Sequence, residues 1–290
     1  MKNTLAFLLA ALLLPASAQT DSSAPKYPPH VIKNSELRAM PRAANGRAYQ
    51  LHVRLPASYG QQPARRYPVL YLTDAYWDFP TVVSSYDNLV YDKVVPEIIV
   101  VGLGYAGTDP DYDALRSWDL SPVAIQPDKP EKSGRAAEFL AHLQAEIIPF
   151  VDREYRSDPS FRALAGSSLG GLFALYTMYT RPGLFQGYIA ASPATPVGND
   201  WLFGYAQRFA ESGAPIKGRL YMTGAENEYP SLLDAIKRFH TKISAHRYAG
   251  LDYQFRLIDG ERHAGTKAES YARGMRYVFA PLAPETGPSK

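Results

Sequence analysis

The chain contains no cysteine, which removes several kinds of chemistry at once. No disulfide framework, thiolate zinc site, iron–sulfur cluster, cysteine nucleophile or lipid-modified cysteine is open to it. Charge of one sign is also lacking, with 31 Lys and Arg against 28 Asp and Glu in 290 residues. Without a basic run there is no electrostatic footprint for nucleic acid, and no nucleic-acid partner is expected. Apolar runs long enough to span a bilayer are missing. So are the H-E-x-x-H, P-loop and dinucleotide signatures. Asp109-Pro110-Asp111-Tyr112-Asp113 hints at a calcium loop, but its sixth position is Ala114 instead of Gly and its twelfth is Leu120 instead of Glu. A solvated acidic loop is the better reading, and neither metal nor cofactor is expected.

What is present is an ordinary globular composition, 46% hydrophobic and 20% charged. At the N-terminus, Lys2 precedes the apolar run Leu5–Leu14, and Pro15-Ala16-Ser17-Ala18 ends in a small-x-small site. Ten residues rise about 15 Å as a helix, roughly half a bilayer core. The segment therefore reads as a signal peptide over 1–18, cleaved after Ala18, and the product as periplasmic or secreted with no membrane partner. A leader over 19–44, one domain over 45–280 and a frayed tail over 281–290 are expected to follow. Leu282–Gly287 resembles a cell-wall sorting signal, but one residue is inserted and no apolar tail follows.

Within the domain, strand and helix periods alternate. Tyr49, Leu51, Val53 and Leu55 alternate with polar residues, which predicts a half-buried antiparallel strand. Val69–Leu72 and Ile98–Val101 are short continuous apolar runs, expected of strands covered on both faces. Phe139, Leu140, Leu143, Ile147 and Val151 stand at helical spacing, with a bend expected at Pro149. Strands are predicted over Ala163–Ala165, Tyr188–Ala191, Leu220–Thr223 and Tyr253–Ile258, and helices over Leu169–Thr180 and from near Pro230. The alternation calls for an α/β fold, a mostly parallel sheet with helices on both faces and antiparallel first strands. Tyr105–Ser133, rich in Asp, Pro and Tyr, reads as a long functional loop.

Gly166-Ser167-Ser168-Leu169-Gly170 fits G-x-S-x-G in one register only, between a short apolar strand and a helix. That context is the nucleophile elbow of the α/β-hydrolase fold, where a serine on a sharp turn needs neighbours without side chains. Ser168 is the candidate nucleophile, and the Leu169 amide at the helix start can donate to an oxyanion. A second donor is expected from the loop after the third strand, and the Tyr76 amide is the candidate. The base should follow the last strand. His30 lies in the leader, His52 on a polar strand face, and His142, His240 and His246 on amphipathic helices; His263, in the glycine-flanked Gly260–Gly265 turn, is the candidate. The acid should follow the Leu220–Thr223 strand, where Glu228 is slightly preferred over Glu226 and a Ser–His dyad stays open.

These residues resemble the esterase-D-like esterase family of α/β-hydrolases, in particular its siderophore esterases, which open the trilactone of enterobactin and salmochelin. Four stretches carry the likeness: Tyr67–Ala75, Leu115–Pro122, Leu164–Leu172 and Ala191–Ala194. The resemblance implies an exported serine esterase acting through Ser168 and His263 on a small-molecule ester, with an iron–siderophore complex as one form of substrate. It places Arg116 at the substrate cleft; Tyr76, Trp77, Phe79, Tyr105, Tyr112 and Trp118 form either core packing or a platform for an aromatic acyl group that would include Trp77. Two departures stand out: Asp74-Ala75 replaces the family's frequent Asp-Gly, and Ala225-Glu226-Asn227-Glu228 does not align cleanly. A general, feruloyl- or acetyl-type carboxylesterase and a non-catalytic binding module on the same scaffold remain alternatives.

Overall fold

The structure, a computed structural model, describes residue 27 and residues 29–284; the expected signal peptide, most of the segment before residue 29 and residues 285–290 lie outside the described residues. The chain divides into Met1–Val31 and Ile32–Lys290, and the elements below all belong to the second unit.

In chain order these are β1 (Ser35–Ala39), β2 (Tyr49–Arg54), β3 (Tyr67–Leu72), α1 (Ala75–Tyr91), β4 (Ile99–Tyr105) and α2 (Tyr112–Leu120). Next come α3 (Ala136–His142), a π-turn (Leu143–Ile147), α4 (Ile148–Glu154), β5 (Ser157–Ser167), α5 (Leu169–Thr180) and β6 (Gly187–Ala191). The last are α6 (Val197–Glu211), β7 (Gly218–Ala225), α7 (Pro230–His246), β8 (Leu251–Ile258) and α8 (Lys267–Phe279). The strands form one sheet in the order β1-β2-β4-β3-β5-β6-β7-β8. The β1/β2 and β2/β4 pairs are antiparallel. From β4 through β3, β5, β6 and β7 to β8 the pairing is parallel. This is the α/β-hydrolase architecture expected from the alternation of periods.

Both faces are covered, as continuous apolar strands require. Leu70, Leu72, Val100, Ala163, Ala165 and Ile189 pack beneath α1 and α8. Val69, Tyr71, Val101, Leu164 and Tyr188 face the other side, under α3, α4, α5, α6 and α7. Helix α5 is apolar nearly all round and wholly interior, with eleven of its residues buried, as a helix under a sheet centre must be.

Three expectations change. Residues 35–39, placed in the leader, form edge strand β1, whose polar residues pair with β2 from Ser35 opposite Arg54 to Ala39 opposite Gln50; an edge strand leaves little apolar signal. The Tyr105–Ser133 loop contains α2, capped at its start by the Asp111 carboxylate accepting from the Ala114 amide at 3.0 Å. Only Asp119 and Leu120 of α2 are buried, too little periodicity to announce a helix. The bend expected at Pro149 appears one turn earlier, as the π-turn, since Pro149 lacks the N–H that would bond four residues back.

Candidate active site

Ligands of open parallel sheets sit outside the carboxyl ends of the strands, and Ser168 after β5, Glu228 after β7 and His263 after β8 all lie at that end, with no hydrogen bond joining Ser168 to His263 among the described residues. Ser168 follows β5 directly, with φ 57° and ψ −115°, a left-handed conformation that costs a non-glycine residue on the order of 1–3 kcal/mol. The surroundings enforce it. The Ser168 amide donates to the Ala191 carbonyl at 2.9 Å, and the Ser168 carbonyl accepts from the Ala194 and Leu172 amides, each at 2.9 Å. Ser168 itself is partly exposed while Ser167 and Leu169 on either side are buried.

The glycines of the motif are explained by close approach. A Cβ on Gly166 would collide with Thr73 Oγ1 and the Gly170 backbone, and one on Gly170 would collide with Thr73 Oγ1. Thr73 is pinned there by its amide donating to the Ala165 carbonyl at 3.0 Å. The segment after β3 is thus clamped onto the first turn of α5. Within it, Asp74 adopts φ 53° and ψ 41°, and the next residue, Ala75, already begins α1. The departure from Asp-Gly therefore falls on a helical residue, where alanine carries no strain. The amides of Leu169 and Tyr76, the two candidate donors, take part in no hydrogen bond among the described residues. Both lie in the first turn of a helix, where amides point out unpaired and favour negative charge.

His263 lies in the turn between β8 and α8. Its Nδ1 is 2.8 Å from Glu228 Oε2. The Glu228 side chain is fully buried, that of His263 a quarter exposed. Since an ionised carboxylate only accepts, Nδ1 carries the proton and Nε2 is left as the basic nitrogen. The other Glu228 oxygen accepts from the Tyr229 amide at 3.0 Å. Glu226 is placed differently: exposed, with Oε2 accepting from the Gly260 amide at 2.8 Å. It braces the two loops together and, among the described residues, makes no hydrogen bond to His263. Backbone bonds from Glu226 to Ile258 (3.0 Å) and Asn227 to Glu261 (2.9 Å) complete that brace.

Arg116 is engaged by a carboxylate of the protein itself. Its Nε and Nη2 donate to the two oxygens of Asp74 at 2.8 and 2.9 Å. Burial works against its charge, yet Asp74 outweighs that and raises the guanidinium pKa. Trp77 is 41% exposed and Tyr76 53%. Tyr76 stacks on Tyr112 with centroids 4.0 Å apart, and the Trp77 ring lies between the Arg116 guanidinium (5.4 Å) and Lys267 Nζ (5.7 Å). Lys267 also pairs with buried Asp78 at 2.7 Å, and Tyr271 donates to the same carboxylate. The six aromatics singled out from sequence thus divide. Phe79 is core, Tyr105 is half-buried against Tyr49 and Tyr112, exposed Tyr76 and Trp77 cluster with half-buried Tyr112, and Trp118 lies near the guanidinium groups of Arg47 and Arg135.

Asp74, Asp78 and Lys267 were not visible as site neighbours in the sequence, because their partners are 42 and 189 residues away. Their one local trace is the position of Asp74, directly after an apolar strand. Among the described residues no group of three or more His, Asp or Glu could hold a metal ion.

Over 270 residues the chain is 26% identical to the ferri-bacillibactin esterase BesA of Bacillus subtilis, covering 87% of this chain and 92% of that protein. It is 36% identical over 148 residues to a siderophore enterobactin esterase of Emericella nidulans, covering 46% and 48%. A crystal structure of the BES protein of Bacillus cereus superposes with a TM-score of 0.78 at 24% identity, covering 88% of this chain and 98% of that one. The model of the esterase family, described as "Putative esterase", matches residues 43–231, and the chain accordingly belongs to that family and is a carboxylic-ester hydrolase.

Proposed function

We propose that the chain is an exported serine esterase that opens the ester bonds of a catecholate siderophore of the enterobactin trilactone type. The observation that supports the mechanism most is the 2.8 Å pair between buried Glu228 and half-buried His263, on the same carboxyl-end rim of the sheet as Ser168 in its positive-φ turn. In this reading His263 Nε2 takes the Ser168 hydroxyl proton as Oγ attacks the ester carbonyl. The Leu169 and Tyr76 amides receive the oxyanion. Collapse breaks the ester C–O bond, and the leaving alkoxide takes the proton from His263. Water then attacks the acyl-serine, giving its proton to His263; collapse breaks the acyl C–Oγ bond, His263 returns the proton to Ser168 Oγ, and the acid is released.

The substrate class is supported by the names of the two relatives, which act on ferri-bacillibactin and enterobactin. The exposed Tyr76 and Trp77 rings, with half-buried Tyr112 beside them, suit the catechol groups of such a molecule. Any iron would arrive with the substrate. Export is inferred from the N-terminal pattern alone, and amino-terminal sequencing of the periplasmic product, beginning at Gln19, would support it.

The test compares wild type with Ser168→Ala on p-nitrophenyl acetate, apo- and ferric enterobactin, and methyl ferulate. Loss of all hydrolysis in the variant, with kcat/KM in wild type highest for a siderophore, is expected. Equal rates in both proteins would overturn the serine mechanism, and a preference for methyl ferulate would overturn the substrate class.

A further inference from the structure

We infer that Arg116 is a positioning residue for the oxyanion site, acting through Asp74, and does not bind the substrate's charge. This rests on the serine-esterase reading above. Asp74 stands at the start of α1, where an aspartate normally caps the helix with its side chain, yet it makes no such bond. Instead both carboxylate oxygens are turned to Arg116 on α2, in the planar two-point geometry that a guanidinium alone provides. The pair is withdrawn from water, with 15% of the Arg116 side chain and 4% of the Asp74 side chain exposed.

The consequence falls on the backbone. Asp74 holds a left-handed conformation, and its carbonyl accepts from the Trp77 and Asp78 amides at 3.0 and 3.1 Å. Those bonds set the first turn of α1 and with it the direction of the unpaired Tyr76 amide. On one side the segment is clamped by Thr73 against Gly166 and Gly170. The Asp74 carboxylate itself closes on the α5 start, since a Cβ at Gly170 would lie 3.2 Å from Asp74 Oδ2. On the other side, among the described residues, only Arg116 hydrogen-bonds the Asp74 side chain. Two donors in two different helices must stay aimed at one point, and the Arg116–Asp74 pair ties α2 to the junction between them. Arg116 also lies 5.4 Å over the Trp77 ring, so the same guanidinium sets the indole beside that amide.

Because both groups of the pair are spent on each other, a charged substrate finds little of the Arg116 cation to bind. Loss of positioning must therefore appear with an uncharged ester as strongly as with an anionic one. Steady-state kinetics of Arg116→Gln, Arg116→Lys, Asp74→Asn and the Asp74→Asn/Arg116→Gln double variant should be measured on p-nitrophenyl acetate and ferric enterobactin. Binding of a trifluoromethyl ketone, whose hydrate anion mimics the tetrahedral intermediate, supplies a readout of the oxyanion site itself. Expected for Arg116→Gln is a fall in kcat of about 10²-fold on both substrates. KM should stay within threefold, and ketone affinity should fall in parallel with kcat. Lysine, lacking the two-point fork, should restore less than a tenth of the wild-type kcat. The double variant removes both charges, which guards against unfolding from an unpaired buried carboxylate, and should lose no more than Arg116→Gln.

Unchanged kcat on p-nitrophenyl acetate with KM raised only for ferric enterobactin would overturn the inference and return Arg116 to substrate binding. So would an unaltered affinity for the ketone. Ser168→Ala assayed alongside keeps the two readings separate. An active Ser168→Ala defeats the serine mechanism, whereas an inactive one beside an unimpaired Arg116→Gln defeats this inference alone.

Discussion

Replacement of Glu228 by glutamine is the sharpest probe of the site, because it removes one charge and almost no volume. Glu228 is fully buried and both its oxygens are engaged, one by the Tyr229 amide and one by His263 Nδ1. In the variant the amide group can meet Nδ1 in two ways. If its oxygen faces the ring, the Nδ1 proton stays but the bond loses its charge, worth about 1.5–3 kcal/mol, or roughly 10- to 150-fold in rate. If its NH2 faces the ring, the proton must move to Nε2, which can then accept nothing from Ser168. Serine triads in that second condition lose about 10⁴ in kcat, roughly 5 kcal/mol. The expected fall for Glu228→Gln is therefore about 10- to 10⁴-fold. For Glu226→Gln it is under about threefold, since an amide oxygen accepts from the Gly260 amide as a carboxylate does. The assay is kcat on p-nitrophenyl acetate, with thermal unfolding to show that both variants are folded. Retention of more than a tenth of wild-type activity by Glu228→Gln, or an equal loss in Glu226→Gln, would refute the reasoning.

Three further outcomes follow from packing and burial. Gly170→Ala should lower stability by about 1–3 kcal/mol and reduce kcat, because the added methyl overlaps Thr73 Oγ1 at the elbow; an unaltered melting temperature would contradict the close approach. Asp119 is pushed up to about 6, first by burial, with Arg47 at 3.3 Å offsetting only part of it. A carboxyl raised above its unfolded value stabilises the fold at low pH and loses that contribution as pH rises through about 6. Denaturant titrations should show wild type losing ~3 kcal/mol relative to Asp119→Asn between about pH 4 and 7, and parallel pH profiles would count against it. Ser270 links Thr223 (2.8 Å) and Thr266 (3.1 Å) in a buried hydroxyl chain between β7 and the His263 turn. Ser270→Ala should cost about 1–3 kcal/mol in urea unfolding, and a neutral effect would show that chain to be dispensable.

The legible part of this molecule was whatever depends on neighbours in sequence. Val69–Leu72 and Tyr188–Ala191 could be recognised as strands because a doubly covered strand must be apolar on both faces, and the observed strands add only Tyr67, Pro68 and Gly187 to those runs. Strand β8, half exposed along its length, and β1 at the opposite edge leave a fainter pattern. The elbow was legible because its requirement for small residues acts within five positions. Helix α2 was not, since its role is a salt link and a cap more than a buried face.

By itself the sequence determined the alternation of strands and helices, the α/β class, Ser168 at a sharp turn and His263 after the last strand, all consequences of local periodicity and chain order. The tertiary structure decided which glutamate meets His263. Glu226 and Glu228 are two residues apart in one loop, and only the register of β7 against β8 sends one under the imidazole and the other to the Gly260 amide. It also decided what Arg116 holds. A guanidinium and a carboxylate 42 residues apart leave no local trace. Their meeting depends on a parallel sheet that brings the ends of β3 and β4, and so α1 and α2, to the same rim.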